Sequence, residues 1–132
     1  MSDTTTTYYY TKTIDRSPEE TETRVREELE KEGFGVLTEI DVKATLKKKL
    51  DVDFRPYKIL GACNPPFAHK ALEAEDKIGA MLPCNVIVQA KDGQTEVAAV
   101  DPVASMQAVD NEALRPIAEE IRDRLRRVID RI

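Results

Sequence analysis

Apolar positions along the chain recur at two spacings, and the spacing changes at recognisable punctuation. "YYYTKTI", Tyr8 to Ile14, is aromatic and β-branched and predicts a first strand. The helix after it is announced by Ser17 as cap, Pro18 in the first helical position and Glu20 completing a capping box, and Gly33 stops it. Its apolar stripe, chiefly Val25 and Leu29, is narrow, so one edge of this helix should meet a core. Phe34, Val36, Thr38, Ile40 and Val42 then alternate onto one face and predict a second strand. Asp41 can cap a short helix with Val42, Leu46 and Leu50 at four-residue spacing, and Lys47, Lys48 and Lys49 on it read as a solvated face.

"RPYKILGAC" predicts a third strand entered at Pro56. Asn64 and Pro65 suit the cap and first position of another helix, with Phe67, Ala71 and Leu72 on its apolar side; the stretch that follows to Leu82 has no clear period, and Gly79 and Pro83 mark its end. "CNVIVQA" is the most apolar strand and so the central one, and Asp92-Gly93 turns it into an antiparallel fifth strand, "TEVAAVD". Asp101-Pro102 ends the sheet, and a short loop or turn leads past Met106. A last helix from about Asp110 or Asn111 carries a sustained stripe from Leu114 to Ile132, with Pro116 near its first turns. Four-residue pairs Glu120–Arg124, Asp123–Arg127 and Arg126–Asp130 should line it, each contributing ~0.3–0.5 kcal/mol.

This order predicts an α+β domain over residues 8–132: one mostly antiparallel sheet of about five strands, two long helices on one face and short inserted helices, with Met1–Thr7 as a frayed end. The other sheet face is left bare, and a second copy of the chain is the expected cover, so a homodimer is expected. Composition narrows the rest. The chain has 132 residues, is 41% hydrophobic and 5% aromatic, and carries a net charge of −5, a field of the wrong sign for phosphate backbones. No apolar run approaches a membrane span, and the polar start lacks a signal peptide's apolar middle, so a cytoplasmic setting with reduced thiols is expected.

Candidate chemistry centres on the chain's two cysteines, Cys63 and Cys84, each followed by an asparagine. If strands three and four are antiparallel, the thiols share a sheet rim; if parallel, they lie roughly 15 Å or more apart. Asn64 as a cap would also set Cys63 beside a helix N-terminus. Two readings stand together, a two-thiol site and a pair of small buried apolar residues. His69, the lone histidine, falls about one and a half turns into the same helix. With Asp101 it makes four candidate ligands, yet no zinc spacing is present; no metal is predicted, and Cys63, Cys84 and His69 are the only plausible ligands. Met106 reads as a core gap-filler or as an axial sulfur ligand. A phosphate-cradling glycine loop and a nucleophile elbow are both absent.

"GFGVLTEIDV", "YKILGACNPPFAHKAL", "IGAMLPCNVIV" and "VAAVDPVASM" together resemble the domain-of-unknown-function family numbered 302, from about the first strand to the last helix. Its pattern falls on Gly33, Phe34 and Gly35, on Cys63, Asn64 and Pro65, on Leu82 to Asn85, and on Asp101, Pro102 and Met106. The resemblance implies a TATA-box-binding-protein-like β-α-β(4)-α fold, commonly dimeric, with strands three and four antiparallel and the thiols neighbours. It implies no function and no cofactor, and the fold's name does not license DNA binding.

The expectation is therefore a dimeric module that binds a small ligand, a cofactor or sulfur at a rim formed by Cys63, Asn64, Pro65, His69, Pro83, Cys84 and Asn85, with Asp101 and Met106 nearby. The alternatives are a structural or regulatory homodimer with inert cysteines and, behind it, a thiol-dependent enzyme using Cys63 as nucleophile and His69 as base.

Overall fold

Residues 7–132 are described by a computed structural model; apart from Thr7, the end expected to fray lies outside the described residues. In chain order the elements are β1 (Tyr9–Ile14), α1 (Pro18–Lys31), β2 (Gly35–Asp41), α2 (Val42–Leu50), β3 (Tyr57–Cys63), α3 (Pro65–Ala74), a 3-10 turn (Ile78–Met81), β4 (Cys84–Lys91), β5 (Gln94–Val100), α4 (Pro102–Ser105) and α5 (Leu114–Asp130). The strands form one sheet in the order β1-β5-β4-β3-β2, and every neighbouring pair is antiparallel. β4 is central, as its apolar content requires: its helix-facing Val86 is fully buried and Val88 nearly so. The architecture is α+β.

Period-two alternation sends Leu60, Val86 and Val97 to the face on which α1 and α5 pack. Val25 and Leu29 of α1 and Leu125 and Val128 of α5 meet them in the main core. The stop of α1 works as the glycine suggested. Gly33 adopts φ +87, and the N–H groups of Phe34 and Gly33 bond back to the carbonyls of Leu29 (2.9 Å) and Glu30 (3.0 Å). At its start the Ser17 hydroxyl accepts from the Glu20 N–H, as expected, but Glu20's carboxylate accepts from the Ser17 hydroxyl instead of its backbone. Asp92 and Gly93 both have positive φ, and the two-residue hairpin joins Lys91 to Gln94.

Four expectations are corrected. The alternation of β2 breaks at a bulge between Val36 and Thr38, so Phe34 is buried while Leu37 and Ile40 are exposed, and Val42 belongs to α2. The bulged edge sits over Gly61, where an added Cβ would collide with Thr38 Oγ1 and meet Pro83 Cγ at 2.8 Å. Met106 follows a short helix, α4, not a loop; Asp101 caps it, accepting from the N–H groups of Val103 (2.9 Å) and Ala104 (3.3 Å). α5 begins at Leu114, with Asn111 accepting from Ala113 N–H, so Pro116 is its third residue and forfeits no intrahelical bond. Of the three ion pairs expected along α5, only Glu120–Arg124 forms, at 2.9 Å. Arg127 turns to Glu32, and Arg126 to Asp101.

On the face away from the helices, the register lines up Ile40 with Ile59, Ile59 with Ile87, and Ile87 with Ala98, an apolar ladder across four strands. Tyr9 stands beside it, and neither α1 nor α5 covers it.

Candidate functional site

A second, smaller apolar cluster of Ala71, Ile78 and Leu114 forms where α3 folds against α5, separate from the main core. Between the two lies a cavity of about 210 Å³. The main core contributes Phe34, Ala62, Cys84 and Ile121 to its walls, and the smaller cluster adds Ala71, Leu82, Met106 and Ile117. The space exists because alanine occupies positions 62, 68, 71 and 118, where larger apolar residues would meet.

Antiparallel pairing of β3 and β4 brings the thiols to this cavity. Cys84 opens β4 directly opposite Ala62, one residue before Cys63 closes β3. Both line the cavity, both are free thiols, and Cys84 is buried while Cys63 is half-buried. Burial and, secondarily, the neighbouring Cys63 push the Cys84 thiol up to about 11, so it is neutral at physiological pH. Asn64, Pro83 and Met106 complete the expected residues that line the same space. No lining residue carries a formal charge.

Asn64 holds the N-cap position of α3, but its side chain does not cap it. The amide donates instead to the Glu32 carbonyl at the end of α1 (3.2 Å), which also accepts from Arg124 Nη1 (3.0 Å). The Glu32 carboxylate, itself buried, accepts a two-point contact from Arg127 (3.1 and 3.0 Å) and a third bond from Arg131 (2.7 Å). Hydrogen bonds from Arg127 hold its carboxyl below the usual carboxylate range; burial opposes them, and Arg131 adds to the lowering. This cluster ties α1, α3 and α5 together beside the cavity.

The remaining expected site residues do not join it. Pro65 is exposed in the first turn of α3, where its ring fixes the backbone. His69 is on the solvent side of α3, its side chain 74% exposed and 3.8 Å from Glu73. Asn85 alternates to the other sheet face and lines a neighbouring hollow that shares Pro83, Cys84 and Met106. Asp101 is spent on capping α4 and on Arg126 at 3.6 Å. Among the described residues no group of three or more His, Cys, Asp or Glu could hold a metal ion. Phe67 and the α5 residues Ile117 and Ile121 line the cavity although they carry no chemistry; the signal for them was the small residues Ala68, Ala71 and Ala118 interrupting otherwise bulky stripes.

An open-faced antiparallel α+β domain with a two-thiol cavity at the seam between its apolar clusters is the class these features define. The chain belongs to the family described as domain of unknown function DUF302, whose model matches residues 10–132. It is similar to the crystal structure of an uncharacterized conserved DUF302 protein from Bacillus stearothermophilus, at 34% identity over 96% of this chain and 98% of that one, with a TM-score of 0.90. No curated protein matches the chain. Among the described residues no helix is long and apolar enough to cross a membrane.

Proposed function

We propose that the protein is a small-ligand-binding module whose ligand enters the cavity between the two apolar clusters and meets Cys63 and Cys84, and that it acts as a homodimer joined through the uncovered sheet face. One observation carries the ligand reading: the chain's only two thiols converge on a cavity of about 210 Å³ that small residues keep open. A lining without formal charge favours an occupant that is neutral overall once it has met the thiols, because a buried charge without a partner is costly. The thiol-enzyme alternative loses support, since His69, its proposed base, does not line the cavity.

The test is retention and uptake. Protein purified without reductant is expected to carry a ligand or sulfur adduct by native mass spectrometry, or to take up a small apolar fluorophore with one-to-one stoichiometry. Ala71→Leu, which fills the cavity from α3, should abolish both while the protein stays folded. A chain that emerges without adduct and takes up no apolar probe would leave the inert-cysteine dimer as the better account.

A further inference from the structure

We propose that the ligand meeting these thiols is a soft, thiophilic metal ion of the copper(I) class, held by the sulfurs of Cys63, Cys84 and Met106. This rests on the reading that the cavity is the functional site and names the class of its occupant. Three separate elements each place a sulfur-bearing residue on the wall of one space: the end of β3 gives Cys63, the start of β4 gives Cys84, and the residue closing α4 gives Met106. Both of the chain's cysteines are spent here.

The donor set discriminates among metals. Zinc takes four nitrogen, sulfur or carboxylate ligands, and neither the imidazole of His69 nor any carboxylate reaches the cavity wall. Calcium and magnesium require oxygen ligands, which the lining does not offer as carboxylates. Thiolate and thioether sulfur select copper(I) and similar soft ions. Charge points the same way. Binding exchanges one thiol proton for the ion, Cys–SH plus Cu⁺ giving Cys–S–Cu plus H⁺, with no change of oxidation state. One thiolate, one neutral thiol and one thioether around a monovalent cation are together neutral, which an apolar lining without charged side chains tolerates. A divalent ion at the same three donors would require both thiols to ionise.

The full chain is titrated anaerobically with copper(I) against a chromophoric copper(I) chelator, with zinc(II) titrated in parallel. The expected result is one copper(I) per chain, with no saturable zinc binding. Met106→Leu, nearly isosteric, should weaken copper(I) by at least the roughly tenfold that even an outer-shell partner is worth. Cys63→Ser should weaken it further, and the Cys63→Ser/Cys84→Ser double variant should abolish it, circular dichroism confirming that each remains folded. Copper(I) affinity unchanged in Met106→Leu, or the same in the double variant, overturns the site. Uptake of an apolar fluorophore without stoichiometric copper(I) binding overturns the metal assignment and leaves the cavity reading standing; failure of both overturns both.

Discussion

Cys84 is the residue whose surroundings most restrict its chemistry. Buried against the core at the start of β4, it keeps its proton to about 11, whereas an unfolded chain releases it near an ordinary thiol's 9.0. The folded state therefore binds this proton more tightly. Its contribution is intact below the ordinary thiol range and disappears as pH climbs through about 11, a loss on the order of 2–3 kcal/mol. Chemical denaturation followed from pH 8 to 11 should show the wild type losing stability more steeply than Cys84→Ala; parallel curves would mean that the thiol is wetter than its position implies. The raised Tyr10 and Lys58 groups titrate in the same direction in both proteins and cancel in that comparison. The sequence made the cysteines legible as a pair but could not assign their roles. Which thiol is buried depends on where each strand begins and ends, and a one-residue offset decides it. Asn64 was legible as a cap position; that its amide reaches back across the fold to Glu32 was not, because the partner lies far off in sequence.

Between elements, the same blindness governed the arginines of α5. Helical spacing suggested in-helix pairs worth a few tenths of a kcal/mol, and pairs that weak yield to any better partner. Glu32 is that partner. It is the last residue before Gly33 turns the chain out of α1, and it collects Arg127 and Arg131 on its carboxylate and Arg124 and Asn64 on its carbonyl. The apolar stripe of α5, by contrast, was largely legible, because burial of Leu114, Ile121, Leu125 and Val128 follows directly from the 3.6-residue period; only the fully buried Ile129 falls outside the stripe read from the sequence. Glu32→Gln retains the shape and removes the charge. It should cost about 1–2 kcal/mol, below the figure for a fully buried pair because both arginines are half-exposed. Since the folded-state carboxyl titrates below its unfolded value, this stability is present above the ordinary carboxylate range and is lost as pH falls through the lower, folded value. Thermal unfolding of wild type and variant should therefore differ at neutral pH and converge in acid. A constant gap down to pH 2 would show that the charge is not what Glu32 supplies.

At the scale of the molecule, the sheet is finished on one side only. Two helices cover the face bearing Leu60, Val86 and Val97, while the ladder of Ile40, Ile59, Ile87 and Ala98 lies on the other face with Tyr9 beside it, Ile40 exposed, Ile59 and Ile87 half-buried and Ala98 buried. Five strands spaced ~4.8 Å apart and about seven residues long present a face of roughly 24 by 24 Å. Two such faces in contact would bury on the order of 1,100 Å², just above the ~1,000 Å² that a specific interface needs. The proposed occupant is a second copy, since a two-fold axis through the central β4 would set each isoleucine ladder against its equivalent and need only one self-complementary surface. The bulge in β2 leaves Ile40 on the ladder and Glu39 turned toward Lys58 and Arg26 on the helix side. Sedimentation at micromolar concentration should give the mass of a dimer, and Ile87→Glu, which places a carboxylate at the centre of the ladder, should give a folded monomer. The cavity lies on the opposite side of the sheet, so that monomer should keep the ligand uptake of the wild type. If Ile87→Glu sediments with the wild type, the ladder is not the contact. If it abolishes ligand uptake while remaining folded, the two faces are coupled through β4, whose Cys84 and Ile87 lie only three residues apart.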